Sequence, residues 1–294
     1  MTTPYGDLEV ALDCCADLGE GPWWDRQTHS LLWLDLFEGR IHSFDPSSGA
    51  DTSIDLGQPV GGFALRTDGG ILAAVRDGVG FADRGVDGLE LVLPIEREVV
   101  ANRANDGACD AAGRFWYGTM AYDQTPGAGT VYRIDPDLTV TPVIAGTTTS
   151  NGIDWSPDNR TMYHADTGTG TVTAYEYDLA TGRPSNPAVI FSAPAGAGSP
   201  DGLCVDAHGD LWVAMWGGSA VLRLSPDGEL TQRIPVPAAL VTSVAFGGSA
   251  LDELYITTAR TGRTAEELVS EPHAGSIFHL RPGAEGIAPH AFAG

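Results

Sequence analysis

A chain of 294 residues with 39 acidic against 16 basic side chains carries a formal charge of −23. Such a surface repels phosphate backbones and anionic headgroups, which sets nucleic acid and membranes aside as partners. Hydrophobic residues make up 43% of the chain, and 38 Gly with 19 Pro imply many tight turns, so the composition selects a turn-rich β protein over a helix bundle.

The opening MTTPYGDLEV has neither a basic stretch nor an apolar run, so no export signal is expected. No window reaches the apolar length of a membrane span. Cys14, Cys15, Cys109 and Cys204 form no CxxC pair. Without export, four reduced thiols in a cytoplasmic protein are expected, and thiolate-held zinc is not.

From Glu20 onward the chain repeats. In the first copy Glu20 opens a run that ends eight residues later at Thr28, and LLWLDL and RIHSFDP follow. The second sets Gly61 eight before Gly69 and continues with ILAAVRD. In the third, Asn105 precedes Gly113 by eight, ahead of RFWYGTM and TVYRIDP. The fourth pairs Asn151 with Asn159 before TMYHADT and TVTAYEYD; the fifth pairs Asp201 with Gly209 before DLWVAMW and AVLRLSP. A looser sixth reads TSVAFGG, LDELYITTAR and GSIFHLRP, and only Thr264 to Val269 within it has helical spacing. Copies begin roughly every forty to fifty residues, the range of propeller blades. Four-stranded units that cannot bury their own faces pack radially, so residues 1–294 are read as one domain, an all-β, six-bladed β-propeller.

In that architecture the first strand of each blade lines the central channel. Equivalent positions then form a ring at one mouth: Glu20, Gly61, Asn105, Asn151, Asp201 and either Thr242 or Ser243. Glu20, Asn151 and Asp201 offer oxygen donors only. Hard divalent cations such as Ca²⁺, Mg²⁺ or Mn²⁺ suit that set, and Zn²⁺ or Fe²⁺ can complete their shells with water. Two carboxylates confined together would repel, and a cation relieves that cost. The competing reading is that these side chains merely cap strand ends.

Arg103, two residues before Asn105, is either a salt-bridge partner or a forked donor to substrate oxygens. Asp123, beyond the GTM turn, is either a loop residue or an acceptor of substrate hydroxyls. Trp23, Trp24, Trp116, Trp155 and Trp212 read mostly as packing between blades. His42, His164, His208 and His279 read as strand and turn positions. No G-x-S-x-G elbow is present to support a serine nucleophile. The glycine-rich GTGT at 168–171 and GAGS at 196–199 lack the strand–loop–helix setting of phosphate sites.

LGEGPWWD, NRANDG with RFWYGTMA, SNGIDWSPDN with MYHADT, SPDGLCVDAHGDLWVA, and the closing TSVAFGG, LYITTAR and GSIFHL together resemble the regucalcin/gluconolactonase family of sugar lactonases. The resemblance runs from about Leu18 to the C-terminus. It implies a six-bladed propeller with one divalent metal held at Glu20, Asn151 and Asp201, Asp201 doubling as the catalytic acid/base. It further implies substrate contacts at Arg103 and Asn105. One departure stands out: where animal members have Glu after GTMA, this chain reads Tyr122-Asp123, and Asp123 is one methylene shorter.

The expected function is metal-dependent hydrolysis of an aldonolactone, a small-molecule partner, with no protein partner implied. Two other classes share the ring, a metal-dependent esterase or phosphotriesterase-like propeller and a non-catalytic calcium-binding propeller.

Overall fold

The computed structural model describes residues 8–294. The reading of MTTPYGD as lacking an export signal concerns residues outside that range.

The first strand, β1 (Glu9–Leu12), does not join the strands that follow it in sequence. Blade 1 is β2 (Gly19–Asp25), β3 (Ser30–Asp35), β4 (Arg40–Asp45) and β5 (Ala50–Asp55). Blade 2 is β6 (Val60–Leu65), β7 (Ile71–Val75), β8 (Gly78–Ala82) and β9 (Glu90–Pro94). Blade 3 comprises β10 (Asn102–Cys109), β11 (Phe115–Ala121), β12 (Gly129–Ile134) and β13 (Val140–Thr147). Blade 4 comprises β14 (Ser150–Trp155), β15 (Thr161–Asp166), β16 (Thr171–Asp178) and β17 (Arg183–Ser192). In blade 5 the strands are β18 (Ser199–Val205), β19 (Leu211–Trp216), β20 (Ala220–Leu224) and β21 (Leu230–Pro235). Blade 6 has β22 (Leu240–Gly247), β23 (Glu253–Ala259) and β24 (Ile277–Leu280), with α1 (Ala265–Ser270) between the last two. Its fourth, outermost strand is β1, paired antiparallel to β24 through Val10 and Phe278. The start of the chain therefore completes the last blade. A single pair, Trp216 with Leu240, links the ladders of blades 5 and 6.

The six first strands form a closed ring in which β2 packs on β6 and β22, and each of the others on its two neighbours. The second strands β3, β7, β11 and β19 are buried almost throughout, because each is covered by a blade on both faces. That explains their unbroken apolar runs. Outermost β5 and β21 are mostly exposed and correspondingly polar. Tryptophans bind blade to blade as the sequence suggests: Trp24 stacks on Tyr255, Trp116 meets Trp155 edge-on, and Trp212 meets Phe246. The helix at 265–270 is capped by Thr264, which accepts from the Glu267 N–H while Glu267 reaches back to the cap. All four cysteines are free thiols. Among the described residues no helix is long and apolar enough to cross a membrane.

Two buried carboxylates not singled out by the sequence hold the blade turns. Asp110 accepts from the Trp116 indole (3.2 Å), the Tyr177 hydroxyl (2.6 Å) and Arg114 (3.0 Å). Asp206, five residues after Asp201 as Asp110 is after Asn105, accepts from Trp212 and Arg223 in the same manner.

Every first strand breaks its ladder at, or in blade 1 just after, the repeat position found in the sequence. Pairing skips between Glu20 and Trp23, Val60 and Gly62, Ala104 and Asp106, Ser150 and Ile153, Pro200 and Leu203, and Val241 and Ser243. A β-bulge frees a residue from strict alternation and re-aims its side chain. The same break identifies Thr242, not Ser243, as the sixth equivalent position. Glycines follow four of these positions, and three pack on the next blade: a Cβ on Gly62 would crowd the Gly107 nitrogen, one on Gly152 would overlap the Leu203 nitrogen, and one on Gly202 the Ser243 hydroxyl. Their absence lets β14, β18 and β22 approach closely, which draws the ring residues together.

Candidate active site

Because Glu20 pairs with Leu34 and Gly19 with Asp35, the turn after each second strand lies at the same end as the ring. That end of the channel collects Glu20 from blade 1, Arg103 and Asn105 from blade 3, Asn151 from blade 4 and Asp201 from blade 5. All five are 6% exposed or less. Gly61 contributes nothing but space, since a Cβ there would strike the Ala104–Asn105 peptide. Thr242 turns its hydroxyl to the Gly19 carbonyl (2.5 Å) and to Thr257 (2.8 Å), bolting blade 6 to blade 1 just before Glu20.

The donor geometry is decided by one threonine. Thr167 Oγ1 donates to the Pro200 carbonyl at 2.7 Å, so toward Asn151 it can only accept. Asn151 must therefore present its Nδ2 to Thr167, at 2.9 Å, which leaves its Oδ1 on the other side. Asn151 Oδ1 is buried without a hydrogen-bond partner, and so is Asp201 Oδ1. Glu20 accepts only from the Gly21 N–H, at 3.1 Å. Buried oxygens left without donors are costly. Oxygen-only donors from three blades, two of them orphaned, fit a divalent cation. Among the described residues no three His, Cys, Asp or Glu side chains form a metal cluster; this set has only two carboxylates, its third donor being an amide.

Electrostatics point the same way. Burial, then the neighbouring Asp106, pushes Glu20 up to about 8. Burial pushes Asp106 up to about 7. Asp201 is raised well above the ordinary carboxylate range by burial, then by Glu20 and Asp106. Arg103 opposes the shifts at Glu20 and Asp201, yet it bonds to neither. Its Nη1 donates to the Ala104 carbonyl (2.9 Å) and to Asn105 Oδ1 (2.6 Å). Burial lowers Arg103 itself to about 10, so it stays charged at neutral pH, and its Nε is buried and unpartnered. Its guanidinium lies 5.3 Å from the centre of the Phe37 ring and 5.8 Å from that of Tyr122.

Asn105 is engaged at both ends, holding Arg103 by its oxygen and the Ser150 carbonyl by its Nδ2 at 2.9 Å. Its visible role is to fix Arg103 and dock blade 3 on blade 4. Asp123 is exposed, and its Oδ1 accepts from the Thr125 N–H (3.0 Å) and hydroxyl (2.7 Å), outside the buried cluster. The histidines sit as expected: His164 is buried at 2.9 Å from the Ser150 hydroxyl, and burial lowers it to about 4. His42 stacks on Trp33.

Three contributors escaped the sequence reading, Asp106, Thr167 and Phe37, and a fourth, Tyr122, was named there only as the neighbour of Asp123. Asp106 had a signal, since it follows a ring position in NDG. The others depend on which turns share the mouth. A cavity of about 140 Å³ occupies the opposite half of the channel, lined by Asp106, Gly107, Ile153, Leu203 and Val244 but by none of the three donors. The site is assigned to the ring end because the orphaned oxygens lie there.

Thr167→Val, which keeps the shape and removes the hydroxyl, is expected to weaken divalent-cation affinity by about 10- to 100-fold with the fold intact. Calorimetric titration with calcium and manganese, beside circular dichroism, reads both. Unchanged affinity would mean that Thr167 does not orient Asn151.

Residues 18–260 match the family described as SMP-30/Gluconolactonase/LRE-like region. The chain is 35% identical to human regucalcin over 294 residues, covering 98% of each. It is 36% identical over 278 residues to a 6-deoxy-6-sulfogluconolactonase of Pseudomonas putida, covering 94% of this chain and 95% of that one. The solved structure of a calcium-binding regucalcin from Agrobacterium tumefaciens superposes with a TM-score of 0.92 at 30% identity, covering 96% of both chains.

Proposed function

The chain belongs to the SMP-30/gluconolactonase/LRE-like family of sugar lactonases and regucalcins, and on that footing we propose that it is a metal-dependent hydrolase opening an aldonolactone to its aldonic acid. The observation that carries this reading is the pair of buried, donorless oxygens on Asn151 and Asp201 beside Glu20. Calcium, manganese, magnesium, zinc or iron(II) held by these three residues would supply Lewis acidity, polarising the lactone carbonyl and acidifying water.

The remaining work falls to side chains. Asp201 accepts the proton of the attacking water as it adds to the carbonyl carbon. When the tetrahedral adduct collapses, the C–O bond of the ring breaks and Asp201 returns that proton to the departing ring oxygen. Water is thereby added across the ester with no net change at the enzyme. Asn151, an amide, can share the ligand role but not the proton. Arg103 turns Nη2, the nitrogen that is neither bonded to the protein nor buried, to substrate oxygens, and Asn105 keeps the guanidinium from turning away. Asp123, on the rim beyond Tyr122, receives outer hydroxyls through the oxygen not used in its turn.

Acid release from pentono- and hexono-lactones, measured with the cation present, after chelation and after each metal is restored, tests the reading. Hydrolysis is expected to disappear on chelation and return with a divalent cation. Full activity in chelated protein would sink the metal-dependent mechanism. Turnover of phosphotriesters alone would transfer the site to another electrophile. Cation-dependent stability without any turnover would favour the binding protein.

A further inference from the structure

The mouth of the channel is uneven. Among the Phe, Tyr and Trp side chains of the described residues, two are exposed, Phe37 at 37% and Tyr122 at 44%. They come from different blades, in the turns after β3 and β11, yet both lie within 6 Å of the same guanidinium, that of Arg103. Val99 and Val100, exposed as well, extend the apolar surface on the segment entering β10, where the Tyr122 N–H bonds the Ala101 carbonyl at 2.8 Å. The corresponding turns of the other blades begin with Arg76-Asp77, Thr167-Gly168, Gly217-Gly218 and Arg260-Thr261, which are polar or small. Single exposed aromatics are ordinary, but two brought from different blades to one guanidinium make a contiguous surface of the kind that ligands cover. A surface that is continuous with Arg103 and absent from the opposite arc of the mouth belongs to whatever Arg103 holds.

We propose that Phe37 and Tyr122 form an apolar subsite beside Arg103, and that this chain prefers lactones bearing an alkyl or deoxygenated arm on the carbon next to the ring oxygen. The inference rests on the lactonase reading and narrows its substrate. With the carbonyl at Glu20, Asn151 and Asp201 and the ring oxygens under Arg103, the arm extends between the two rings. Hydroxyls on the arm carbons that lie between the two rings would lose water against ring faces before Asp123 is reached at the rim, whereas each buried methylene contributes up to about fourfold in kcat/KM.

The test uses cation-saturated protein and two homologous series. The first is δ-valerolactone, δ-hexalactone and δ-octalactone, compared with glucono-δ-lactone for kcat/KM. The second is 2-piperidone with its 6-methyl and 6-propyl derivatives, lactams that report binding without turnover. Both kcat/KM and lactam affinity are expected to rise with each added carbon. Phe37→Ala and Tyr122→Ala should each cut that gain about tenfold by the propyl member, Phe37→Leu should keep most of it, and Val269→Ser, an exposed apolar residue on α1, should leave it intact. Affinity that is flat along the lactam series, or a gain undiminished in both alanine variants, overturns the subsite. Arm-dependent lactam binding without hydrolysis of any lactone supports the subsite and refutes the reaction on which it was built.

Discussion

Asp201→Asn is expected to lower lactone turnover by roughly 10² to 10⁴ at saturating cation while the propeller stays folded. The substitution preserves size and one ligand oxygen at a position only 3% exposed, so packing and part of the cation affinity survive. What disappears is the ability to accept a proton. The reciprocal change, Asn151→Asp, separates the two roles. It adds charge to the donor set and tightens the cation, with a modest loss of rate as the cation's Lewis acidity is dulled. It also places an oxygen against Thr167 Oγ1, whose proton is already given to Pro200, so the cation-free form of that variant should be less stable. Metal titrations and pH–rate profiles on both variants make the comparison. Near-parental turnover in Asp201→Asn would place the base elsewhere.

Removing the cation should make stability fall as the pH rises. The folded protein holds protons up to about pH 8 at Glu20 and about pH 7 at Asp106, and Asp201 is raised as well. An unfolded chain releases these protons near pH 4, so between about pH 4.5 and 8 the folded form binds more of them. Stability conferred by that extra protonation is complete below the unfolded pKa and is lost through the folded one. Each group that titrates contributes about 1.4 kcal/mol per pH unit, or about 3 °C in Tm for a chain of this size. Cation binding expels the same protons, so affinity should rise with pH and calorimetry should register proton release. The expected result is a Tm that drops from pH 5 to pH 8 in chelated protein and stays nearly level in calcium-saturated protein. Equal slopes in the two samples would mean that the cluster does not hold the cation.

The architecture and the candidate donor positions were legible in the sequence because both leave periodic traces. Strands buried between blades, such as LLWLDL and RFWYGTM, have no solvent face and so read as unbroken apolar runs. Their spacing reveals the blades, and comparing equivalent positions picks out Glu20, Asn151 and Asp201 as polar where Gly61 is not. Even the short helix announced itself through the helical spacing from Thr264 to Val269. Orientation was not legible. Thr167 lies one strand away from Asn151 in the chain and accepts from it only because β18 supplies the Pro200 carbonyl. Asn105 resembles a free ligand in NDG, yet Arg103 and the Ser150 carbonyl occupy both its ends. Asp123 stands beside family motifs but spends one oxygen on its own turn. Nothing local shows that β1 closes blade 6, or that Phe37 and Tyr122, 85 residues apart, share one guanidinium. The physical reason is the range of the forces involved. Burial acts on each strand and writes its period into the sequence, whereas the aim of a polar side chain is set by bulges and by partners that only the closed ring brings within hydrogen-bonding distance.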